Sequence, residues 1–311
     1  MILTVTLNVS VDKAYKIKGA VCPGTVSRVD ECRNTAGGKG LNVARIADLC
    51  GEDVLAAGFA GGFNGDYVKA MLCEDGIQSR FTKVKGESRS CINILAGDGT
   101  STEFLEPGAP VEEEEWHRFL KDFEELVRES HVVTISGSAP RGLGTDCYQE
   151  LIEIVKRQEK QVILDTSGEY LREGLKAKPT MIKPNQEELE DLLGVEIKNR
   201  EDLILAGKKL VSQGIPYVVI SLGAKGALMI CEDRIYHGKP PELDAVNPVG
   251  CGDSMVGAFA AAFCQGKSDK EALAYAVAVS AANAMNPGTG RFRVKDMEEI
   301  HSKAEVEEIT Y

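Results

Sequence analysis

The chain has 311 residues, 43% of them hydrophobic and 27% charged, enough for one large α/β domain or two ordinary ones around a core of useful size. Its formal net charge of −12 argues against a general nucleic-acid or anionic-membrane surface, but leaves room for a local basic pocket that takes a phosphorylated small molecule. No stretch approaches the roughly 18 consecutive apolar residues of a membrane span, and nine scattered cysteines without a C-x-x-C pair fit a reducing cytoplasm better than a disulfide framework or a zinc site.

Residues 2–8 alternate like a buried strand, and no basic leader precedes them, so a signal peptide is not expected. Residues 15–33 lack helical periodicity and suggest short exposed strands. The glycine turn Gly37-Gly-Lys-Gly40 leads into a helix over 41–49, apolar at 41, 43, 44, 46, 47 and 49. A strand follows at 54–58 and a helix at 66–73. Residues 80–106 return to strand-like alternation, with a turn at Gly97-Asp-Gly99.

Beyond Pro110 the pattern changes to regular alternation. Helices are expected at 112–129, 145–158, 186–193 and 200–212, and strands at 131–136, 161–165, 180–182 and 217–221. Further strands at 227–231 and 234–237 and helices at 252–265 and 269–284 complete the chain. Such alternation predicts a parallel sheet with helices on both faces. The insertions near 13–33 and 80–106 are expected to pair into one small sheet that lies over the main domain as a lid and excludes water. A plain β extension or an oligomer contact is the alternative, and a lid can double as the surface of a homodimer.

Four consecutive glutamates, Glu112 to Glu115, read as the acidic first turn of a solvated helix. The four histidines (His117, His131, His237 and His301) have no metal-ligand spacing.

The most informative stretch is Asn247-Pro-Val-Gly-Cys-Gly-Asp-Ser254, a glycine turn opening a small apolar helix. Gly250 and Gly252 let the backbone pass close to a ligand. The first N–H groups of the helix, with its dipole, make a site for a phosphoryl group. A carboxylate there, Asp253, makes chemical sense as a base for a hydroxyl that attacks phosphorus; the plain alternative is a helix cap.

Other motifs are more ambiguous. Lys39 stands in a glycine turn that is not a Walker A loop, because Gly40 follows it. The glycines at 250–257 do not follow the dinucleotide fingerprint, which counts against a nicotinamide-dependent oxidoreductase. Asn185 and Glu188 could hold hydrated Mg²⁺ from one face of a helix start, or could simply cap that helix. Ser221-Leu-Gly-Ala-Lys-Gly-Ala227 could line a nucleotide phosphate or be an ordinary hairpin. Arg28 and Arg89, both in the expected lid, could grip a phosphate together or be solvated.

Taken jointly and in order, these motifs resemble the ribokinase-like (PfkB) carbohydrate kinases over almost the full length. The residues that carry the likeness are Asn8-Val-Ser-Val-Asp12, Gly37-Gly-Lys-Gly-Leu-Asn-Val-Ala-Arg45, Ser136-Gly-Ser-Ala-Pro140, Asp165-Thr-Ser-Gly168, Lys183-Pro-Asn-Gln-Glu-Glu188, Ser221 to Ala227 and Val249 to Ser254. The second and third of these are similar to the hexose-phosphate branch, the 1-phosphofructokinases and tagatose-6-phosphate kinases. Cys251, where the family usually has alanine, and Val9, where it usually has proline, depart from the pattern.

The resemblance implies a single ribokinase-like domain over residues 1–311, with a doubly wound, mostly parallel sheet and a small β lid. It implies that Asp253 is the general base and that the N–H groups of Gly250, Cys251 and Gly252 form the anion hole. Asp12, Gly38 and Asn42 would bind sugar hydroxyls. Arg28, Lys39 and Arg89 would meet the phosphate already on the sugar, with Asn93 and Ser138 nearby. Lys183 would approach the ATP phosphates, and Asn185 and Glu188 would organise Mg²⁺. Ser221, Gly223 and Gly226 would line the nucleotide, with Asn283 near its base. The implied reaction is ATP-dependent phosphorylation of fructose 1-phosphate or tagatose 6-phosphate to a 1,6-bisphosphate, with fructose 1-phosphate placed first. The alternatives are a kinase of an unphosphorylated sugar or nucleoside, and a sugar-binding regulator without catalysis.

Overall fold

In the computed structural model, which describes residues 1–310, β1 (Ile2–Thr6) buries every one of its side chains, as a central strand covered on both faces must. Leu3 and Val5 enter one core and Ile2 the other, following the two-residue period of a strand. The chain then runs through β2 (Ser10–Ile17), β3 (Glu31–Gly37), α1 (Lys39–Leu49), β4 (Val54–Gly61), α2 (Gly62–Glu74), β5 (Gln78–Val84), β6 (Arg89–Ala96) and β7 (Ser101–Leu105). Next come α3 (Glu113–Glu129), β8 (Val132–Ser136), α4 (Cys147–Arg157), β9 (Gln161–Asp165), α5 (Gly168–Gly174), β10 (Met181–Ile182), α6 (Gln186–Leu193) and α7 (Arg200–Ser212). The last elements are β11 (Tyr217–Ser221), β12 (Ala227–Ile230), β13 (Ile235–Lys239), α8 (Cys251–Cys264), α9 (Asp269–Ala284), α10 (Val294–Lys303) and β14 (Glu305–Glu308).

One sheet holds ten strands in the order β14-β13-β12-β11-β10-β9-β8-β1-β4-β5. Neighbours from β5 to β11 are parallel, and β12 to β14 extend the sheet antiparallel. Residues of α1, α2, α8, α9 and α10 fill the core on one face, and residues of α3 to α7 fill the core on the other. The expected doubly wound α/β architecture is present. Strand order reverses beside β1, which has β4 on one side and β8 on the other. The crevice beyond the carboxyl ends at such a reversal is where ligands bind in open α/β sheets.

The two insertions do pair, giving a second sheet in the order β3-β2-β6-β7. Strand β2 joins them, running antiparallel to β3 and parallel to β6. Its limits differ from expectation. Residues 78–84 form β5 and belong to the main sheet, because they pair parallel with β4. The first hairpin begins at Ser10, and residues 18–30 form an exposed loop without a strand. Helices α5 and α10 and strand β14 were not foreseen; α10 and β14 follow a proline- and glycine-rich turn that masks their periodicity. In the glutamate run, Glu112 caps α3, whereas Glu115 is buried and accepts from the Glu112 and Lys85 backbone N–H groups.

Candidate active site

Four element ends converge at the strand-order reversal. Strand β9 ends in Asp165, β10 is followed at once by Lys183, and α1 and α8 both start there. Asp165 is buried, and its two oxygens face two ammonium groups: Lys183 Nζ at 3.3 Å from Oδ1 and Lys39 Nζ at 3.3 Å from Oδ2. Burial pushes the Asp165 carboxyl up, but the two lysines overrule it and hold it below the usual carboxylate range. Lys39 is raised, first by Asp165 and further by Asp253 and Glu188. Lys183 points toward the α8 turn: a Cβ on Gly252 would stand 3.1 Å from its Nζ.

Asp253 lies in the first turn of α8 and is 6% exposed. It caps nothing, since Gly250 holds the N-cap position without any side-chain cap bond. Gly250 has φ 80°, and a side chain there would also run into Thr289 and Gly290. Asn42 Nδ2 donates to Asp253 Oδ2 at 2.8 Å, across 211 residues of sequence. This contact depends on Gly257, where a Cβ would lie 2.7 Å from Ile46 Cγ2 and 3.0 Å from the Val43 carbonyl; its absence lets α1 and α8 close up. Burial, then the neighbouring Asp165 carboxylate, push Asp253 up to about 6, against the pull of Lys39, Asn42 and Lys183. A carboxyl poised there is ionised at neutral pH and still basic enough to accept a proton.

The turn before α8 leaves two N–H groups without a backbone partner among the described residues, close to Lys183. Gly250 and Gly252 find no backbone acceptor, whereas Cys251 N–H donates to the Pro248 carbonyl at 3.3 Å, so the expected three-donor hole is reduced to two free donors in this conformation. Cys251 lends its carbonyl to Ser280 Oγ at 2.9 Å, and burial raises its thiol. Asn283, expected near a nucleotide base, is fully buried. Its Nδ2 donates to the Val249 carbonyl and its Oδ1 accepts from Gly290 and Arg291 N–H, so it ties the α8 turn to the 290–291 loop. The amide is thus committed to partners within the protein.

Asn185 and Glu188 form a reciprocal cap: Asn185 Oδ1 accepts from Glu188 N–H at 2.8 Å, and Glu188 Oε2 accepts from Asn185 N–H at 2.9 Å. The cap leaves one Glu188 oxygen uncommitted, and the charge of Glu188 is felt at Lys39. Ser221 lies alongside Asn185 in a parallel bridge. Asn185, Ser221 and Lys225 line a cavity of about 650 Å³, together with Arg200 and His237; Asp253 does not line it. Gly223 and Gly226 form the turn between β11 and β12, both with positive φ, and Gly226 packs directly on the Gly238 carbonyl.

On the lid side, the Asp12 carboxyl accepts from Ser10 Oγ at 2.6 Å and is raised by burial. Gly38 caps α1 at φ 111°. Ser138 Oγ lies 3.4 Å from Asn8 Nδ2. Register places Asp12 and Asn93 on one face of the lid sheet, and the Asn93 amide is engaged by Ser101 and Glu103. Arg89 donates to the carbonyls of Asn8 and Glu106 at 3.2 and 3.1 Å. Arg28 is exposed in the 18–30 loop, which leaves β2 at Ile17, while Arg89 pairs with Ser10 at the other end of that strand. The two arginines are therefore not brought together by the lid ribbon of one chain. Two groups carry weight that no motif in the sequence assigned to them: Asp165, the counter-charge of both lysines, and Arg45, which is bonded to Asn42. Both stand in stretches that carry the resemblance, Asp165 to Gly168 and Gly37 to Arg45, but nothing local to those stretches signals the contacts they make.

The chain matches the model of the pfkB family of carbohydrate kinases over residues 5–295. It is 40% identical to a tagatose-6-phosphate kinase of Staphylococcus epidermidis over 312 aligned positions, covering 99% of this chain and 100% of that one. Among solved structures, phosphofructokinase-2 from Escherichia coli in complex with potassium superposes with a TM-score of 0.91 at 30% identity, covering 97% of this chain and 98% of that one. A Thermotoga maritima protein described as a possible 1-phosphofructokinase gives 0.86 at 23% identity over 100% of both chains, which speaks to fold alone. The chain belongs to the pfkB family of carbohydrate kinases.

Proposed function

We propose that this pfkB kinase transfers the γ-phosphoryl group of ATP to a hydroxyl of a ketohexose phosphate and yields a 1,6-bisphosphate. The observation that carries the reading is Asp253, a buried carboxyl raised to about 6 beside an open helix N-terminus and two lysines. Asp253 takes the proton of the acceptor hydroxyl as its oxygen attacks phosphorus. The Gly250 and Gly252 N–H groups and Lys183 face the charge that builds on the transferred phosphoryl oxygens. Lys39 holds the other oxygen of Asp165 and is assigned to the phosphate the sugar already carries. Asp12 and Asn42 are assigned to sugar hydroxyls, and Arg89 to the phosphate the substrate already carries.

The donor set fits Mg²⁺. Asn185 and the free Glu188 oxygen are few, and a magnesium ion held by nucleotide phosphates and water needs few protein ligands. When bound, the ion neutralises phosphate charge. Ser221 is assigned to the nucleotide because it borders the cavity beside Asn185, and Gly223 because it belongs to the turn that follows Ser221 and whose Leu222 and Lys225 line the same cavity.

Between the two leading substrates, the 40% identical relative moves the order toward tagatose 6-phosphate and away from fructose 1-phosphate. The lid leaves Phe104 and Leu105 more than half exposed on an edge strand, which supports a homodimer through that sheet. No helix among the described residues is long and apolar enough to cross a membrane. Nine free cysteines suit a reducing cytoplasm. A coupled ADP-release assay with tagatose 6-phosphate, fructose 1-phosphate, fructose 6-phosphate and ribose tests the reading. Preference for ribose would overturn the hexose-phosphate assignment, and no ADP release with any sugar would overturn the kinase.

A further inference from the structure

Arg45 follows Asn42 by three residues on α1 and is 5% exposed. Its Nε donates to Asp75 Oδ2 at 2.7 Å, one terminal nitrogen donates to Asn42 Oδ1 at 3.1 Å, and the other donates to the Ala36 carbonyl. Asp75, at the end of α2, is held from the other side by Arg291. A guanidinium can only donate, so the group that Asn42 turns toward Arg45 must be its oxygen. The Asn42 Nδ2 is thereby left facing Asp253 Oδ2, where it donates at 2.8 Å. Flipping the amide would set an NH₂ against a cation and an oxygen against a carboxylate.

We propose that Arg45, anchored by Asp75, is a positioning residue: it locks the Asn42 amide so that one Asp253 oxygen is held by an N–H donor and the other stays free to take the proton of the acceptor hydroxyl. The inference rests on the assignment of Asp253 as base. The same guanidinium holds Ala36, at the root of the lid sheet, so the strand that carries the sugar side and the base are referred to one fixed point. Burying an arginine is weak evidence for stability in itself, whereas a planar fork that meets three acceptors is suited to fixing orientation. The other charged or titratable groups that face Asp253 are Lys39 from α1, Lys183 after β10, Asp165 at the end of β9 and Cys251 on α8 itself.

The test is Arg45→Lys, which keeps a cation beside Asp75 and loses the fork. An N–H bond to the charged carboxylate favours ionisation, so its loss raises the Asp253 pKa. The acid limb of kcat/KM is expected to move up by about half to one pH unit, with a several-fold loss at pH 6, much less at pH 8, and KM for sugar phosphate and ATP within about twofold of wild type. Asn42→Ala should move the limb equally, and the double variant should add nothing to either. Carboxyl ¹³C NMR should show the Asp253 titration shifting upward in Arg45→Lys without turnover. If Arg45→Lys does not fold, Asp75→Asn takes its place with the same expectation. An unmoved limb in a stable variant, or full additivity with Asn42→Ala, overturns the relay while Asp253→Asn remains inactive. Full turnover in Asp253→Asn overturns the base assignment and the relay with it.

Discussion

Lys183 and Asp165 face each other at 3.3 Å, and only 6% and 2% of their side chains reach solvent. Lys39 completes a triad in which one carboxylate serves two cations. The arrangement sets the field in which Asp253 works: Asp165 raises its pKa, and the two lysines lower it.

Asp165→Asn should therefore change the pH profile and the stability together. With the like charge gone, the Asp253 carboxyl becomes more acidic and the acid limb of kcat/KM moves to lower pH. Removing one partner of a buried ion pair costs about 3–5 kcal/mol; the lower end is expected, because Asp253 remains as a second carboxylate in the same field. The wild-type Asp165 carboxyl is lowered in the folded state, so its stabilisation is present above the ordinary aspartate range and is lost as pH falls through the lowered value. Urea unfolding at pH 7 and at pH 3 should show a gap between wild type and variant that narrows on acidification. A constant gap would mean that the loss is one of packing and not of charge.

Asp253 acts in the opposite sense. Its carboxyl is raised from 3.8 to about 6, so the folded state binds that proton more tightly than the unfolded chain does. The stability linked to it is complete below about pH 4 and is lost as pH climbs through about 6. At pH 8 the ionised group costs the fold at most about 3 kcal/mol, since each tenfold change in proton affinity corresponds to about 1.36 kcal/mol. Asp253→Asn should raise Tm at pH 8, leave it nearly unchanged at pH 4, and lower kcat by about 10²–10⁴-fold. Near-wild-type kcat, or a Tm that drops at pH 8, would rule out a strained, ionised base at this position.

How much of this was legible beforehand differs between fold and site. The βα alternation from 112 to 221 was readable because each strand there is a short buried run bounded by turns. The pairing of the two lid hairpins was readable as well, since neither can cover its own edges. The role of 78–84 was not, because a strand of the main sheet and a strand of the lid alternate alike, and only the pairing with β4 decides between them. In the site, motif order located Asp253, Asn42, Lys39 and Lys183. It gave no account of Asp165 or Arg45, whose effects depend on distances between segments far apart in the chain. Asn283 shows the reverse case, in which a polar residue in the right region turns its amide inward to hold the turn.

Glu188→Gln separates the metal assignment from the cap. Glutamine can replace glutamate in a capping box, so the bond to Asn185 N–H should survive and Tm should change by no more than about 1–2 °C, in keeping with a loss of a few tenths of a kcal/mol. Removing the charge should weaken the hold on an ion that has few protein ligands. The Mg²⁺ concentration for half-maximal rate should then rise by roughly three- to tenfold, with kcat at saturating Mg²⁺ recovering most of the wild-type value. An unchanged Mg²⁺ titration would leave Glu188 as a helix cap and nothing more.

Arg89 is held at two of its three nitrogens by the carbonyls of Asn8 and Glu106, which joins the end of β1 to the segment after β7. Its second terminal amino group, and the second N–H of the first, make no bond among the described residues and are the donors left for the proposed substrate phosphate. Arg89→Ala thus removes a fixed point of the lid as well as the proposed phosphate contact, and the two losses must be told apart. A hydrogen bond to a charged group is worth about 1.5–3 kcal/mol. Loss of the phosphate contact should lower kcat/KM for a ketohexose phosphate by about 10–10²-fold, and should hardly touch residual turnover of free ketohexose. Loss of the fixed point should lower both alike, since Asp12 and the lid sheet serve any sugar. Arg89→Lys keeps the charge without the fork, so it should fall between wild type and alanine on the phosphorylated substrate. KM for ATP should stay within about twofold of wild type in both variants, because the nucleotide is assigned to the Asn185–Ser221 side. Equal losses on phosphorylated and free sugar would make Arg89 a strut between two backbone segments, and the recognition of the substrate phosphate would then have to be sought at Lys39.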